Sequence, residues 1–255
     1  MKNNKSLGQH WLKNREILEE IADLAYSGAD KTNKTELCLE IGPGLGTLTS
    51  SLLKRFKKVI AVEFDERLAQ NLPKSFPGKN LEVICGDILK YDFNFIKENY
   101  VIAGNIPYYI TSPILEKVLD VENTAERIVL LMQKEVAERL LDEKETILSL
   151  FVKNRAAIEA GPVVLKDEFT PPPKVDSQVI ILYPHAPVLK NEVFDLIKQG
   201  FKSPRKKLIH NLAGLLSKES IIELFEKISI DINARPGDLS LEKWQILYDE
   251  ISPKR

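Results

Sequence analysis

Four consecutive residues, Asn105-Ile106-Pro107-Tyr108, carry the types needed to act on an amino group that is a poor nucleophile. An exocyclic amine on adenine or cytosine has its lone pair delocalised into the ring. A side-chain oxygen from Asn105 and a backbone carbonyl from Ile106 or Pro107 can accept its two N–H bonds. That draws the nitrogen toward tetrahedral geometry and aims its lone pair at an electrophilic methyl. Tyr108 offers a face on which a base taken out of its stack can lie. No strong general base is needed, because the methylated nitrogen is acidic enough to lose its proton to water. The gain is in positioning and electrostatics. Read without that chemistry, the tetrapeptide is a turn in which Pro107 ends a strand.

A second constellation precedes it. Gly42-Pro43-Gly44-Leu45-Gly46 follows the apolar run Leu37-Cys38-Leu39-Glu40-Ile41. Glycines there allow a sharp turn and let a ligand approach the backbone. Thr47 follows Gly46, so the pattern is Gly-x-Gly-x-Gly and not the dinucleotide fingerprint. No Gly-Lys-Ser/Thr follows, which excludes a P-loop. Glu63 closes the next apolar run, 21 residues beyond Gly42, and Asp87 follows the third. The first acid can accept both hydroxyls of a ribose, the second an adenine amino group. Singly, each reads equally well as a helix cap or a solvated acid. Ligand-type residues at successive strand ends point instead to a nucleoside cofactor without a pyrophosphate. S-adenosylmethionine meets that description.

The elements that position these residues follow from periodicity. Strands are expected at 37–41, 59–63, 81–85, 100–104 and 127–132, with an antiparallel pair at 156–165 and 176–183. Helical spacing occupies 17–25, 45–56, 113–119, 133–141 and 147–154, and Asp65 is placed to cap a helix that Pro73 stops. Ser112 before Pro113 reads as a helix N-cap. Such alternation implies an α/β fold with a mostly parallel sheet covered on both faces. From Glu192 onward every apolar pattern is helical, so a boundary is placed near residue 186, giving domains 1–186 and 187–255.

Composition sets the outer limits. The 36 basic and 37 acidic residues give a formal charge of −1, and 44% of the chain is hydrophobic, which suits a globular protein and not a disordered polyelectrolyte. No apolar run reaches membrane-spanning length, and the basic Met1–Lys5 start is not followed by a signal-peptide core. A cytoplasmic protein is expected. Cys38 and Cys85 both lie in apolar runs, where reduced, buried thiols are expected. Three histidines, His10, His185 and His210, leave little from which to build a metal site, so none is expected.

Five motifs then occur in order: Ser6-Leu7-Gly8-Gln9-His10-Trp11-Leu12; Glu40-Ile41-Gly42-Pro43-Gly44; Asn105-Ile106-Pro107-Tyr108; Leu131-Met132-Gln133-Lys134-Glu135-Val136; and Phe169-Thr170-Pro171-Pro172-Pro173-Lys174-Val175-Asp176-Ser177. Over nearly the whole chain they resemble the small-subunit rRNA adenine dimethyltransferases, the KsgA family. The resemblance implies a Rossmann-like S-adenosylmethionine-dependent methyltransferase sheet with a small all-helical C-terminal domain. It implies transfer of methyl groups to N6 of two adjacent adenosines near the 3′ end of 16S rRNA in the small ribosomal subunit. Asn105, Pro107 and Tyr108 take the catalytic positions; His10, Leu12, Gly42, Gly44, Glu63, Asp87 and Asn105 take those that hold the cofactor. The segment 1–15 would close over that cofactor, although its residues alone show only an amphipathic lead-in.

Three departures mark this chain within that resemblance. His10 stands where Asn is commoner, and Tyr109 where Asn is frequent. Residues 141–146 replace a longer loop containing Tyr-Gly-Arg. Two rivals compete: an Erm-like 23S rRNA adenine methyltransferase, and a non-catalytic RNA-binding assembly or transcription factor on the same scaffold. The triple proline and Lys-Val-Asp-Ser favour the small-subunit family, and intact Glu63, Asp87 and Asn105 favour an enzyme. A neutral chain holds RNA through local potential, not its average charge. Residues 196–218 contain six bases and no acid, so Lys202, Arg205, Lys206 and Lys207 are the expected RNA contacts, with a second acid-free stretch at 1–15. A monomer is expected.

Overall fold

The computed structural model describes residues 9–26, 35–120 and 124–252. The Ser6-Leu7-Gly8 start of the first motif, and the basic residues Lys2 and Lys5, lie outside them. Strand β1 (Trp11–Leu12) leads into helix α1 (Arg15–Tyr26), which buries Leu18, Ile21, Ala22 and Ala25 along one stripe. Four strands and their helices follow: β2 (Leu37–Ile41), α2 (Thr47–Leu52), β3 (Lys58–Glu63), α3 (Glu66–Ser75), β4 (Leu81–Cys85), β5 (Tyr100–Asn105) and α4 (Thr111–Leu119). Next come β6 (Arg127–Gln133), α5 (Lys134–Leu141), α6 (Ile147–Lys153), β7 (Ala156–Val164), β8 (Phe169–Thr170) and β9 (Ser177–Pro184).

Seven of these strands form one sheet in the order β4-β3-β2-β5-β6-β9-β7, while β1 pairs with β8 in a separate ribbon. The first five are parallel, and β9 runs antiparallel to both β6 and β7. All five residues of β2 are buried, the pattern of a strand covered on both faces. From β2 the chain steps outward through β3 and β4, then returns to place β5 on the other side of β2. That reversal opens a crevice at the carboxyl ends of β2 and β5, where ligands bind in such sheets. Gly104 of β5 sits opposite Ile41, and a Cβ there would lie 2.8 Å from the Ile41 carbonyl, so no side chain fits at this close approach.

Several local expectations are corrected. Cys38 is buried as expected, but Cys85 is exposed, because β4 is the edge strand and much of it stays open to solvent. Helix α2 starts at Thr47 and not Leu45, since Gly46 has φ of 82°, outside the right-handed helical region. Asp65 does cap α3, accepting from Arg67 and Leu68 N–H, but Pro73 lies inside its last turn. Ser112 is not a cap: α4 begins one residue earlier, and Pro113 falls in its first turn, where no N–H is required.

The chain divides into two compact units. One comprises residues up to 137 together with 156–184; the other comprises 138–155 together with the chain from 185 onward. The second contains α7 (Asn191–Gly200), α8 (Leu208–Leu212), α9 (Lys218–Lys227) and α10 (Leu241–Ile251). Their apolar stripes surround Trp244, which is fully buried, and Leu150 of α6 belongs to the same core. A single cut near 186 does not express that helical excursion. Its composition matches the α/β part, and only packing assigns it.

Candidate active site

The carboxyl ends of β2, β3 and β5 open on a cavity of about 260 Å³. His10, Leu12, Gly42, Gly44, Glu63, Asp87, Asn105, Pro107 and Tyr108 all line it. Residues from five separate segments of sequence are thereby brought together.

At the cofactor end, Gly42 and Gly44 have φ of 64° and 58°, values that favour glycine. A Cβ on Gly44 would stand 3.0 Å from Trp11 Nε1, so the lead-in passes directly over the turn. Glu63 is buried, and its carboxylate accepts from Gly44 N–H at 3.0 Å and Asp65 N–H at 2.8 Å. Burial raises its pKa, and the N–H bonds from Asp65 and Gly44 hold the shift back. A carboxylate has about four acceptor positions, so two remain for a diol. Asp87 turns out to be a cap as well as a candidate ligand. One of its oxygens accepts from Leu89 N–H at 3.0 Å, leaving the other for an amino group.

A carboxyl in the cavity escaped the sequence reading. Glu40 is fully buried and neither of its oxygens has a hydrogen-bond partner among the described residues. Burial pushes its carboxyl up to about 8; Thr49 opposes this without reaching hydrogen-bond geometry, and the charge of Glu63 adds to it. A glutamate inside an otherwise apolar strand was the available signal. Phe64 and Tyr109 also line the cavity, and both are more than 60% exposed, with open aromatic faces at the rim.

At the reaction end, Asn105 Nδ2 donates to the His10 carbonyl at 3.0 Å. A carbonyl only accepts, so the amide nitrogen is fixed there and Oδ1 is kept as an acceptor. The Tyr108 hydroxyl shares a 2.6 Å hydrogen bond with Ser177 Oγ, and its ring is stacked on His10 with centroids 5.8 Å apart. Burial raises the Tyr108 pKa, with Ser177 opposing, so the phenol stays neutral. Lys202, Arg205, Lys206 and Lys207 belong to the second unit, between α7 and α8, and all four are exposed. Lys207 Nζ donates to Asn233 Oδ1 at 2.6 Å.

The sequence model described as ribosomal RNA adenine dimethylase matches residues 1–252. The chain belongs to this family. Relatives named ribosomal RNA small subunit methyltransferase A include one from Rippkaea orientalis, 38% identical over 268 residues that cover 97% of this chain and 96% of that protein. Another, from Clostridium acetobutylicum, is 35% identical, covering 97% and 93%. Two solved structures share the fold. A dimethyladenosine transferase from Plasmodium falciparum is 29% identical, with a TM-score of 0.77 and coverage of 96% and 98%. The 23S rRNA methyltransferase ErmE is 25% identical, with a TM-score of 0.76 and coverage of 95% and 99%. The chain is therefore a Rossmann-like methyltransferase of the rRNA adenine dimethylase family. No helix among the described residues is long and apolar enough to cross a membrane, and no cluster of His, Cys, Asp and Glu side chains among them is placed to hold a metal ion.

Proposed function

We propose that this chain transfers methyl groups from S-adenosylmethionine to N6 of two adjacent adenosines near the 3′ end of 16S rRNA, acting on the small ribosomal subunit as a cytoplasmic monomer without a metal. The observation that carries the reading is the Asn105 amide, pinned by its nitrogen so that its oxygen is kept as an acceptor. Full-length relatives named for the small subunit are 35–38% identical, against 25% for ErmE, which favours the small subunit over the 23S alternative.

The residues present fit the cofactor. Glu63 and Asp87 retain free acceptor positions for a ribose diol and an adenine amino group. The positive-φ turn at Gly42 and Gly44 leaves the backbone bare, and the unpartnered Glu40 carboxyl suits a cationic group. S-adenosylmethionine would supply an electrophilic methyl on a sulfonium and depart as the neutral thioether S-adenosylhomocysteine, the sulfur keeping the electron pair of the broken S–C bond. Gly42, Gly44, Glu63 and Asp87 bind, and His10 and Leu12 cover. Asn105 Oδ1 accepts one N–H of the target amine, and the Ile106 or Pro107 carbonyl accepts the other. The Pro107 carbonyl already takes Ile110 N–H at 3.2 Å and keeps a second lone pair. Tyr108, neutral and tethered to Ser177, presents its ring to the base. The proton leaves to water once the nitrogen has gained its methyl. Aligned acceptors and a prepositioned base supply the rate gain.

Incubation with labelled S-adenosylmethionine and either unmethylated small subunits or large-subunit RNA, followed by mapping of modified nucleotides, tests this. Label on two neighbouring adenosines of the small subunit is expected. Label confined to large-subunit RNA would move the chain to the 23S reading, and absence of label would return it to the binding-protein reading.

A further inference from the structure

The backbone ladder that holds the described part of the lead-in is short. β1 pairs with β8 through only two residues, Trp11 with Thr170 and Leu12 with Phe169, and Lys13 N–H adds a bond to the Glu168 carbonyl at 2.9 Å. A ribbon this short is marginal by itself. It cannot be lengthened in the other direction by the ordinary ladder, because the next partners are Pro171, Pro172 and Pro173, which have no N–H to give. Beyond the Trp11–Thr170 pair, the next residues on the two segments are His10 and Pro171. The histidine ring takes over where the backbone stops: His10 Nδ1 lies 2.8 Å from the Pro171 carbonyl. Since that carbonyl can only accept, Nδ1 carries the proton.

His10 also touches both catalytic side chains. Its carbonyl accepts the Asn105 amide, and its ring lies within 18° of parallel to Tyr108. The Pro171 bond fixes the register of the lead-in, the register fixes the His10 carbonyl, and that carbonyl fixes which way the Asn105 amide is turned. An Asn105 without this partner is free to rotate its nitrogen toward the substrate amine, which would present a donor to a donor.

We propose that His10 is a positioning residue for transfer: through its ring bond to Pro171 and its carbonyl bond to Asn105, docking of the lead-in turns the Asn105 oxygen toward the substrate. This rests on the proposed methyl transfer, and it assigns His10 a role beyond lining the cofactor cavity.

Three variants of the full chain separate the ring from the hydrogen bond. His10→Asn keeps a side-chain N–H for Pro171 without the ring, His10→Phe keeps a ring without the N–H, and His10→Ala has neither. With saturating cofactor, His10→Ala and His10→Phe are expected to lower kcat about tenfold or more, since misplacing a reacting group costs that much or greater. KM for unmethylated subunits should stay within about threefold, any loss of cofactor cover should be met by the saturating cofactor, and His10→Asn should recover most of kcat. The side-chain amide protons of Asn105, followed by NMR, should exchange slowly in wild type and His10→Asn and faster in the other two. Any one of three results overturns the proposal: unchanged kcat in His10→Ala, kcat lost in step with S-adenosylhomocysteine affinity, or better recovery by Phe than by Asn. Identical Asn105 exchange in all four proteins overturns it as well. If the wild type methylates no subunit but the exchange pattern holds, the proposed function fails while the His10 linkage stands.

Discussion

Gly44 N–H donates to Glu63 Oε2 at 3.0 Å, tying the glycine turn after β2 to the acid that ends β3. The turn is bare because Gly44 holds φ of 58° beneath Trp11, and the acid is aimed because two backbone N–H groups hold it. Each feature alone is ordinary. Joined at the crevice where the strand order reverses, they set an acid with two remaining acceptor positions beside a bare turn, the arrangement proposed to take a ribose diol.

Replacing Glu63 by Ala should therefore weaken binding before any chemistry. Affinity for S-adenosylhomocysteine is expected to fall by about 1.5–3 kcal/mol, the scale of hydrogen bonds to a charged group. Titration calorimetry measures it. Wild-type affinity in the variant would make Glu63 a structural clasp for Gly44 and nothing more.

Much of this site was legible before the structure. Glycines and acids at successive strand ends are local signals, and parallel-sheet topology gathers such ends along one edge. Non-local pairing was not legible. Nothing in Gln9-His10-Trp11-Leu12 states that it pairs with Phe169-Thr170, 157 residues away in the Leu12–Phe169 register, nor that 138–155 packs with the later helices. The exposure of Cys85 was hidden for the same reason, since sheet order and not composition makes β4 an edge.

Glu40 gives a pH signature. Its carboxyl sits at about 8 because of burial, against 4.5 for an ordinary glutamate. The folded state thus keeps a proton that the unfolded chain has already released. Stability from this group is full below pH 4.5 and is lost as pH rises through about 8. In cofactor-free protein, the melting temperature of Glu40→Gln should gain on that of wild type across this window. Binding of S-adenosylhomocysteine near pH 7 should also expel protons in wild type and not in the variant, if a cationic group settles beside the carboxylate. Calorimetry in buffers of different ionisation enthalpy reads this directly. A melting difference that stays flat with pH would mean that Glu40 is charged in the fold.

The proposed function gives Asn105 two jobs on opposite ends of one amide, and two substitutions separate them. Asn105→Ala removes the substrate acceptor, and transfer should fall by roughly 10²–10³, the usual cost of one preorganised electrostatic partner. Asn105→Asp should do at least as badly, because a carboxylate oxygen would then face the His10 carbonyl and repel the lead-in. S-adenosylhomocysteine affinity should change by less than about tenfold in the Ala variant, the scale of one ordinary hydrogen bond. Single-turnover methylation with saturating cofactor decides it, and near-wild-type rates in Asn105→Ala would remove this residue from the chemistry.

The RNA contacts are expected from charge and exposure. Lys202, Arg205 and Lys206 are exposed in the acid-free stretch between α7 and α8, whereas Lys207 is engaged with Asn233. Phe201 is buried just before them and anchors the start of the turn. Changing the three free bases to Glu should leave the helical core intact, since none contributes to it. Subunit binding should weaken and its dependence on salt should flatten, each lost phosphate contact lowering the log–log slope by roughly 0.7–0.9. S-adenosylhomocysteine affinity should not move, because the cofactor cavity is built wholly from the other unit. Binding measured from low to moderate salt gives the slope for both proteins. A triple variant with the wild-type slope would show that the phosphate contacts come from other bases, and the assignment of this turn to RNA would fall.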